Sequence, residues 1–155
     1  MIRILTILLL VMVSCGHAAQ RELALTLVPV EPVIPFGTVP HFRLTITNVS
    51  DHAMRVLDAK RRVDLQHTYY DLVVTKDGKR VDVPRAISDP GPVSDRDWLE
   101  IPPGGAKVFL LTDFPQRFDK LPPGVYEACV NFWRDPFQSH DTADLSPKVK
   151  FTITK

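Results

Sequence analysis

The sequence predicts an all-β fold of about seven short antiparallel strands packed in two layers. Three observations carry this expectation. Several runs alternate apolar and polar side chains with a period of two, the pattern of a half-buried strand. No stretch keeps a helical period. The chain has 14 prolines among its 155 residues, about twice average usage. Proline fixes φ and lacks an N–H, so it marks loops and edges and not central strands.

The strands follow in order. Leu23, Leu25 and Leu27 alternate with Glu22, Ala24 and Thr26. Phe42, Leu44 and Ile46 alternate with Arg43, Thr45 and Thr47. Tyr70, Leu72 and Val74 lead into Lys76-Asp77-Gly78-Lys79, a hairpin turn built on Asp-Gly, with Val81 and Val83 on the return. Lys107 to Leu111 is a fifth strand, apolar enough to be buried on both faces. Tyr126, Ala128, Val130 and Phe132 mark a sixth, and Val149, Phe151 and Ile153 the last. Turn markers separate them: Pro29 to Pro40, Asn48 to Asp51, Asp89 to Pro92, Pro102 to Gly105 and Pro122 to Gly124.

Residues 1–18 read as an export signal ahead of one domain over 19–155. Arg3 supplies a positive start, Ile4 to Val13 an apolar run broken only by Thr6, and Ser14, Gly16 and Ala18 a small-residue exit. The run is too short to cross a bilayer, which takes roughly 20 residues. Cleavage after Ala18 gives a soluble product. Met12-Val13-Ser14-Cys15 resembles a bacterial lipobox, in which Cys15 is lipidated and becomes the first residue. The expected location is periplasmic, secreted or lipid-anchored to the cell envelope, with membrane contact only through Cys15.

The whole chain carries 19 Lys+Arg against 18 Asp+Glu. Loss of Arg3 with the leader balances them, so nothing points to nucleic acid, which wants a clear basic excess. Cys129 is then the one free thiol, with no partner for an internal disulfide.

Leu121-Pro122-Pro123-Gly124-Val125-Tyr126 is the most specific local motif. A Tyr just after a Pro/Gly turn, entering an alternating strand, matches the tyrosine corner of immunoglobulin-like sandwiches, its hydroxyl bonded to a backbone group upstream. The disulfide position two residues later holds Ala128. Cys129 follows it and is expected on the opposite face, with Glu127 and Asn131.

The order of motifs adds a resemblance. A strand from Phe42 ends in an Asn48-Val49-Ser50 turn; Tyr70 to Gly78, Ile101 to Gly105 and Leu121 to Tyr126 follow. This series resembles the bacterial immunoglobulin-like modules of the intracellular proteinase inhibitor family, over Leu23 to about Phe132. The resemblance implies an immunoglobulin-like antiparallel β-sandwich, and the family name implies protease inhibition. The chain departs from the pattern in an Asp58 to Gln66 insert and in its leader, and no inhibitory residues match one by one.

Candidate chemistry is sparse. Asp135, His140, Asp141 and Asp144 offer oxygen and nitrogen ligands in one loop, without EF-hand spacing. A solvated loop is the simpler reading, and no cofactor or metal is expected. Lys60, Arg61 and Arg62 form a basic loop expected to share one end of the sandwich with His140 and Asp141. The two loops together are the candidate partner-binding surface. The proline-bearing Asp89 to Trp98 segment is the alternative, a bait loop for a protease, set against an ordinary crossover with Trp98 against the core edge. His41, His52 and His67 are scattered, and no Gly-x-Ser-x-Gly, His-Glu-x-x-His or Cys-x-x-Cys occurs. Asn48-Val49-Ser50 is formally a glycosylation acceptor. The expected function is a non-catalytic binding or accessory module of the envelope, recognising an unidentified protein or envelope component. Protease inhibition is the alternative, and a hydrolytic or metal-dependent enzyme the weakest reading.

Overall fold

The structure, a computed structural model, describes residues 22–81, 91–111, 121–136 and 143–155. The leader with Cys15, the pair Asp89 and Pro90, and the pair His140 and Asp141 lie outside them.

Where alternation is strongest, strands form. Leu23–Pro29 (β1) and Phe42–Asn48 (β3) pair antiparallel, burying Leu23, Leu25 and Leu27 against the same core as Phe42, Leu44 and Ile46. Ala106–Leu111 (β8) joins β3 on its other side, giving the order β1-β3-β8. The second sheet runs β2-β11-β9-β5-β6, from Val33–Pro35 (β2), Val149–Thr154 (β11), Gly124–Phe132 (β9), Tyr70–Lys76 (β5) and Lys79–Arg80 (β6). Asp144–Leu145 (β10) adds to β9. All these pairings are antiparallel except β2 with β11. Met54–Leu57 (β4) and Trp98–Ile101 (β7) make a separate antiparallel pair. The described residues are thus mostly β, as expected.

Aromatic rings join the two larger sheets. Phe42 meets Phe151 edge-on at 5.4 Å, and Tyr70 lies 5.5 Å from Phe109. Burying such a side chain contributes about 1.5–3 kcal/mol. Tyr70 is fully buried, and its hydroxyl donates to the carbonyl of Leu57 at 2.5 Å. Burial pushes its phenol far above the ordinary range. Tyr126, also buried, donates its hydroxyl to the Pro122 carbonyl at 2.6 Å.

Asp77 and Gly78 both take positive φ, 52° and 75°, and close the β5–β6 hairpin with Lys76 opposite Lys79. Two consecutive left-handed residues match the right-handed twist of the flanking strands. The return strand is Lys79–Arg80; Val81 follows it, its N–H donating to Val74, and Val83 lies outside the described residues.

Three expectations are corrected. β8 is not buried on both faces: Phe109 and Leu111 point inward, but Val108 and Leu110 are 53% and 51% exposed. The Asp58 to Gln66 segment is not all loop, because Val63–Tyr69 forms a helix (α1). No strand is expected between the Asp89 to Trp98 segment and the Pro102 turn, yet Trp98–Ile101 is one, paired with β4, while Trp98 packs against the core edge as expected.

Candidate functional site

Three segments far apart in sequence meet beside α1. The helix spaces Leu65 and Tyr69 four residues apart, which sets them on one side. Arg62, just before the helix, grips Asp64 with two nitrogens, at 3.0 Å from Nε and 2.9 Å from Nη2. Its Nη1 donates to the Pro92 carbonyl at 3.2 Å and reaches Asp97 Oδ2 at 3.4 Å. One guanidinium thereby ties the helix start to the 91–98 segment.

That segment is itself braced. The Ser94 N–H and hydroxyl both donate to Asp97 Oδ2 at 2.8 Å, closing a capping box over the 3-10 turn Asp95–Asp97. The Asp58 N–H donates to the Asp97 carbonyl at 2.7 Å. Ser94's donors, then Arg62, hold the Asp97 carboxyl below its ordinary range, and Arg62 does the same for Asp64. The Arg62 guanidinium is raised in turn, chiefly by its hydrogen bonds to Asp64.

The result is a partly open cleft of about 420 Å³, lined by Leu65, Tyr69, Pro92, Val93 and Trp98, with Arg134 and Asp135. Its volume falls within the range of small-ligand and side-chain pockets. Tyr69 meets the Trp98 ring edge-on at 5.7 Å. Arg55 lies over the Trp98 ring at 5.6 Å. With a cation on the ring face and a phenol at its side, the indole is held as a fixed apolar wall. Burial raises the Tyr69 phenol.

Arg134 bonds Glu22 and also reaches Asp144 at 3.4 Å. Burial opposes its charge, and Glu22 and Asp144 outweigh that and raise its guanidinium. Glu22 is held below its ordinary range mainly by Arg134. His52 lies 3.6 Å from Glu22 and 3.1 Å from Asp51, which it lowers.

Each residue singled out in the sequence and described by the structure therefore has a place. Arg62 is largely covered and occupied in bracing, with 12% of its side chain exposed; Arg61 and Lys60 stay on the surface. Arg61 reaches Asp58 at 3.7 Å. Asp135 lines the cleft, whereas Asp144 pairs with Arg134. Among the described residues no group of three His, Cys, Asp or Glu side chains converges as metal ligands would. Cys129 is half-buried beside Glu127 and Asn131, and burial raises its thiol. Asn48 is fully buried, so its amide offers no surface for a glycan. Tyr69 and Leu65 are cleft residues that the sequence pattern does not single out, although their spacing is a faint helical sign inside an expected loop.

No protein-family model matches the chain, and no curated protein sequence matches it. Among solved structures it is similar to a β-glucosidase from Listeria innocua in complex with glucose, with 16% identity and a TM-score of 0.43, covering 86% of this chain and 16% of that one. A β-glucosidase from Erythrobacter marinus has 12% identity and a TM-score of 0.46, covering 85% of this chain and 15% of that one. The chain therefore spans only a small part of either enzyme, and likeness at this level carries no argument about activity.

Proposed function

We propose that the chain is an exported, non-catalytic binding module of a bacterial cell envelope, built on an immunoglobulin-like sandwich. The scaffold reading is supported by the chain passing from one sheet to the other between β1 and β2, by the order β11-β9-β5, and by the Tyr126 hydroxyl on Pro122. Export rests on residues 1–18. Among the described residues, no helix is long and apolar enough to cross a membrane.

The binding reading rests on the cleft. Leu65 and Tyr69, the 91–98 segment and Arg134 with Asp135 converge there, and Arg62 and Asp97 fix the walls beforehand. A pre-ordered apolar pocket lowers the entropy cost of binding. Leu65, Tyr69, Val93 and Trp98 make its lining largely apolar, so the cleft suits an apolar side chain of a protein partner. In this reading the cleft replaces the basic loop as the recognition surface.

The test is capture from an envelope extract by the wild-type protein and by Val93→Glu. A partner held by wild type and lost by the variant, with both melting alike, supports the cleft. A partner held equally by both removes it. Fractionation of cells expressing the full chain tests export, and full retention in the cytoplasm overturns that part.

Protease inhibition is the alternative. One observation favours it: the capping box holds Ser94, Asp95 and Arg96 rigid and exposed. Inhibition of an envelope protease that is lost in Asp97→Ala would move the assignment there.

A further inference from the structure

We infer a second binding surface, independent of the cleft: the free edge of β1 accepts an extended peptide segment of a partner protein by strand addition. Among the described residues β1 is an edge of its sheet, paired only with β3. The Val49 N–H donates to Glu22 and the Val30 N–H donates to His41, so Glu22, Ala24, Thr26, Val28 and Val30 turn their backbone groups toward β3. In an antiparallel ladder the alternate residues turn theirs away. The N–H and C=O groups of Leu23, Leu25 and Leu27 thus face outward, and none has a backbone partner among the described residues. Their side chains are buried at 2%, 7% and 2% exposure, which locks the orientation of the edge.

A groove of about 370 Å³ lies beside the Leu23 to Leu25 part of this edge, walled by Val49, Leu145 and Pro147. Leu145 and Val49 are 56% and 48% exposed. The far wall cannot close the gap, because its hydrogen bonds go elsewhere. Asp144 and Leu145 pair with β9, and Ser146 exchanges bonds with Val130 at 3.0 and 2.9 Å. One side of the groove therefore offers unpaired donors and acceptors at strand spacing, and the other offers apolar side chains. An extended backbone with alternating side chains satisfies both.

The occupant is an uncharged extended segment. Asp144, the one ionisable side chain lining the groove among the described residues, is already paired with Arg134. A second copy fits poorly. The available edge is about 17 Å of strand, too short by itself to bury the roughly 800 Å² per partner of a stable dimer. The other sheet's edges are less suited to strand addition: β2 has three residues and ends in Pro35, and β6 has two, Lys79 and Arg80.

The test is amide hydrogen exchange by NMR on the purified protein, with and without millimolar N-acetylated, C-amidated hexapeptide alternating valine and threonine. Saturable protection of the Leu23, Leu25 and Leu27 amides by about tenfold or more is expected. The fully N-methylated peptide gives none, because its methyl groups hold its carbonyls away from the edge and leave nothing to donate to the Leu23, Leu25 and Leu27 carbonyls. Val49→Asp combined with Leu145→Asp abolishes the protection without lowering the melting temperature. No protection at millimolar peptide overturns the proposal. So does equal protection by the methylated peptide, which would mean apolar filling alone. Protection that grows with protein concentration in the absence of peptide overturns it in favour of a second copy.

Discussion

The side-chain amide of Asn48 donates to the carbonyl of Ile101 at 2.9 Å, across 53 residues of sequence. Its second N–H goes to the His52 carbonyl at 2.7 Å, and its oxygen accepts from the Ser50 N–H and hydroxyl at 2.9 and 2.6 Å. Every hydrogen-bonding position of a fully buried amide is filled. It fastens the end of β3 to the β4–β7 pair. Asn48→Ala takes the amide donor from the buried Ile101 carbonyl, whereas the His52 carbonyl still accepts from the Ser50 hydroxyl at 3.0 Å. A loss of about 1–3 kcal/mol by urea denaturation is expected. Asn48→Asp should cost at least as much at neutral pH, because a carboxylate would face the same two carbonyls.

Acid weakens the Arg62 brace. Asp64 and Asp97 both titrate below their ordinary value of 3.8 in the folded protein. A lowered folded value means that their contribution is complete above the unfolded value and is lost as pH falls through the folded one. Arg62→Met removes the cation and keeps much of the stem. The gap in melting temperature between wild type and Arg62→Met should be widest near neutrality and narrow below about pH 4. A gap that stays constant down to about pH 2.5 would show that only the packing of the Arg62 stem matters.

Backbone strain and steric crowding separate at two glycines. At Gly78, with φ of 75°, an added methyl would meet nothing within 4 Å. Gly78→Ala therefore pays only for the left-handed backbone, about 1–2 kcal/mol. At Gly105, which does not have a left-handed φ, the same methyl would lie 3.0 Å from the Pro102 ring and carbonyl. The penalty at Gly105 comes from crowding at the turn before β8, and a crystal structure of Gly105→Ala should show Pro102 displaced, with no such shift around residue 78.

Adjacent residues of β8 should behave oppositely. Phe109 is buried against Tyr70, and Phe109→Ala should cost about 3–5 kcal/mol. Val108→Thr and Leu110→Thr change side chains that are half-exposed, and each should stay within about 0.5 kcal/mol of wild type. Comparable losses at all three positions would mean that something covers the outer face of this sheet in solution.

The long alternating strands are legible because six or more residues give three full periods: β1, β3, β5, β9 and β11 stand where Leu23, Phe42, Tyr70, Tyr126 and Phe151 suggest. The Asp77-Gly78 turn is legible because its chemistry is local. β4 and β7 are hidden because four residues hold too few periods to stand out from a loop. α1 is hidden for the same reason, seven residues being barely two turns. In β8 an unbroken apolar run suggests double burial, yet a run without alternation does not say which face meets solvent. Of the candidate site, the 91–98 segment and Asp135 stand out in the chain. Their meeting with Tyr69 does not, since nothing in a linear pattern reports which distant segments fold together.

The cleft is assembled from pieces that are neighbours only after folding, and this gives it a thermodynamic signature. No short synthetic fragment of the chain can imitate it, and a ligand seated between Tyr69, Val93 and Trp98 has no counterpart site on the unfolded polypeptide. Such a ligand must raise the melting temperature, by an amount that grows with the logarithm of its concentration once above its dissociation constant. Screening compounds or peptides by thermal shift thus reads occupancy of this pocket even while the natural partner is unidentified.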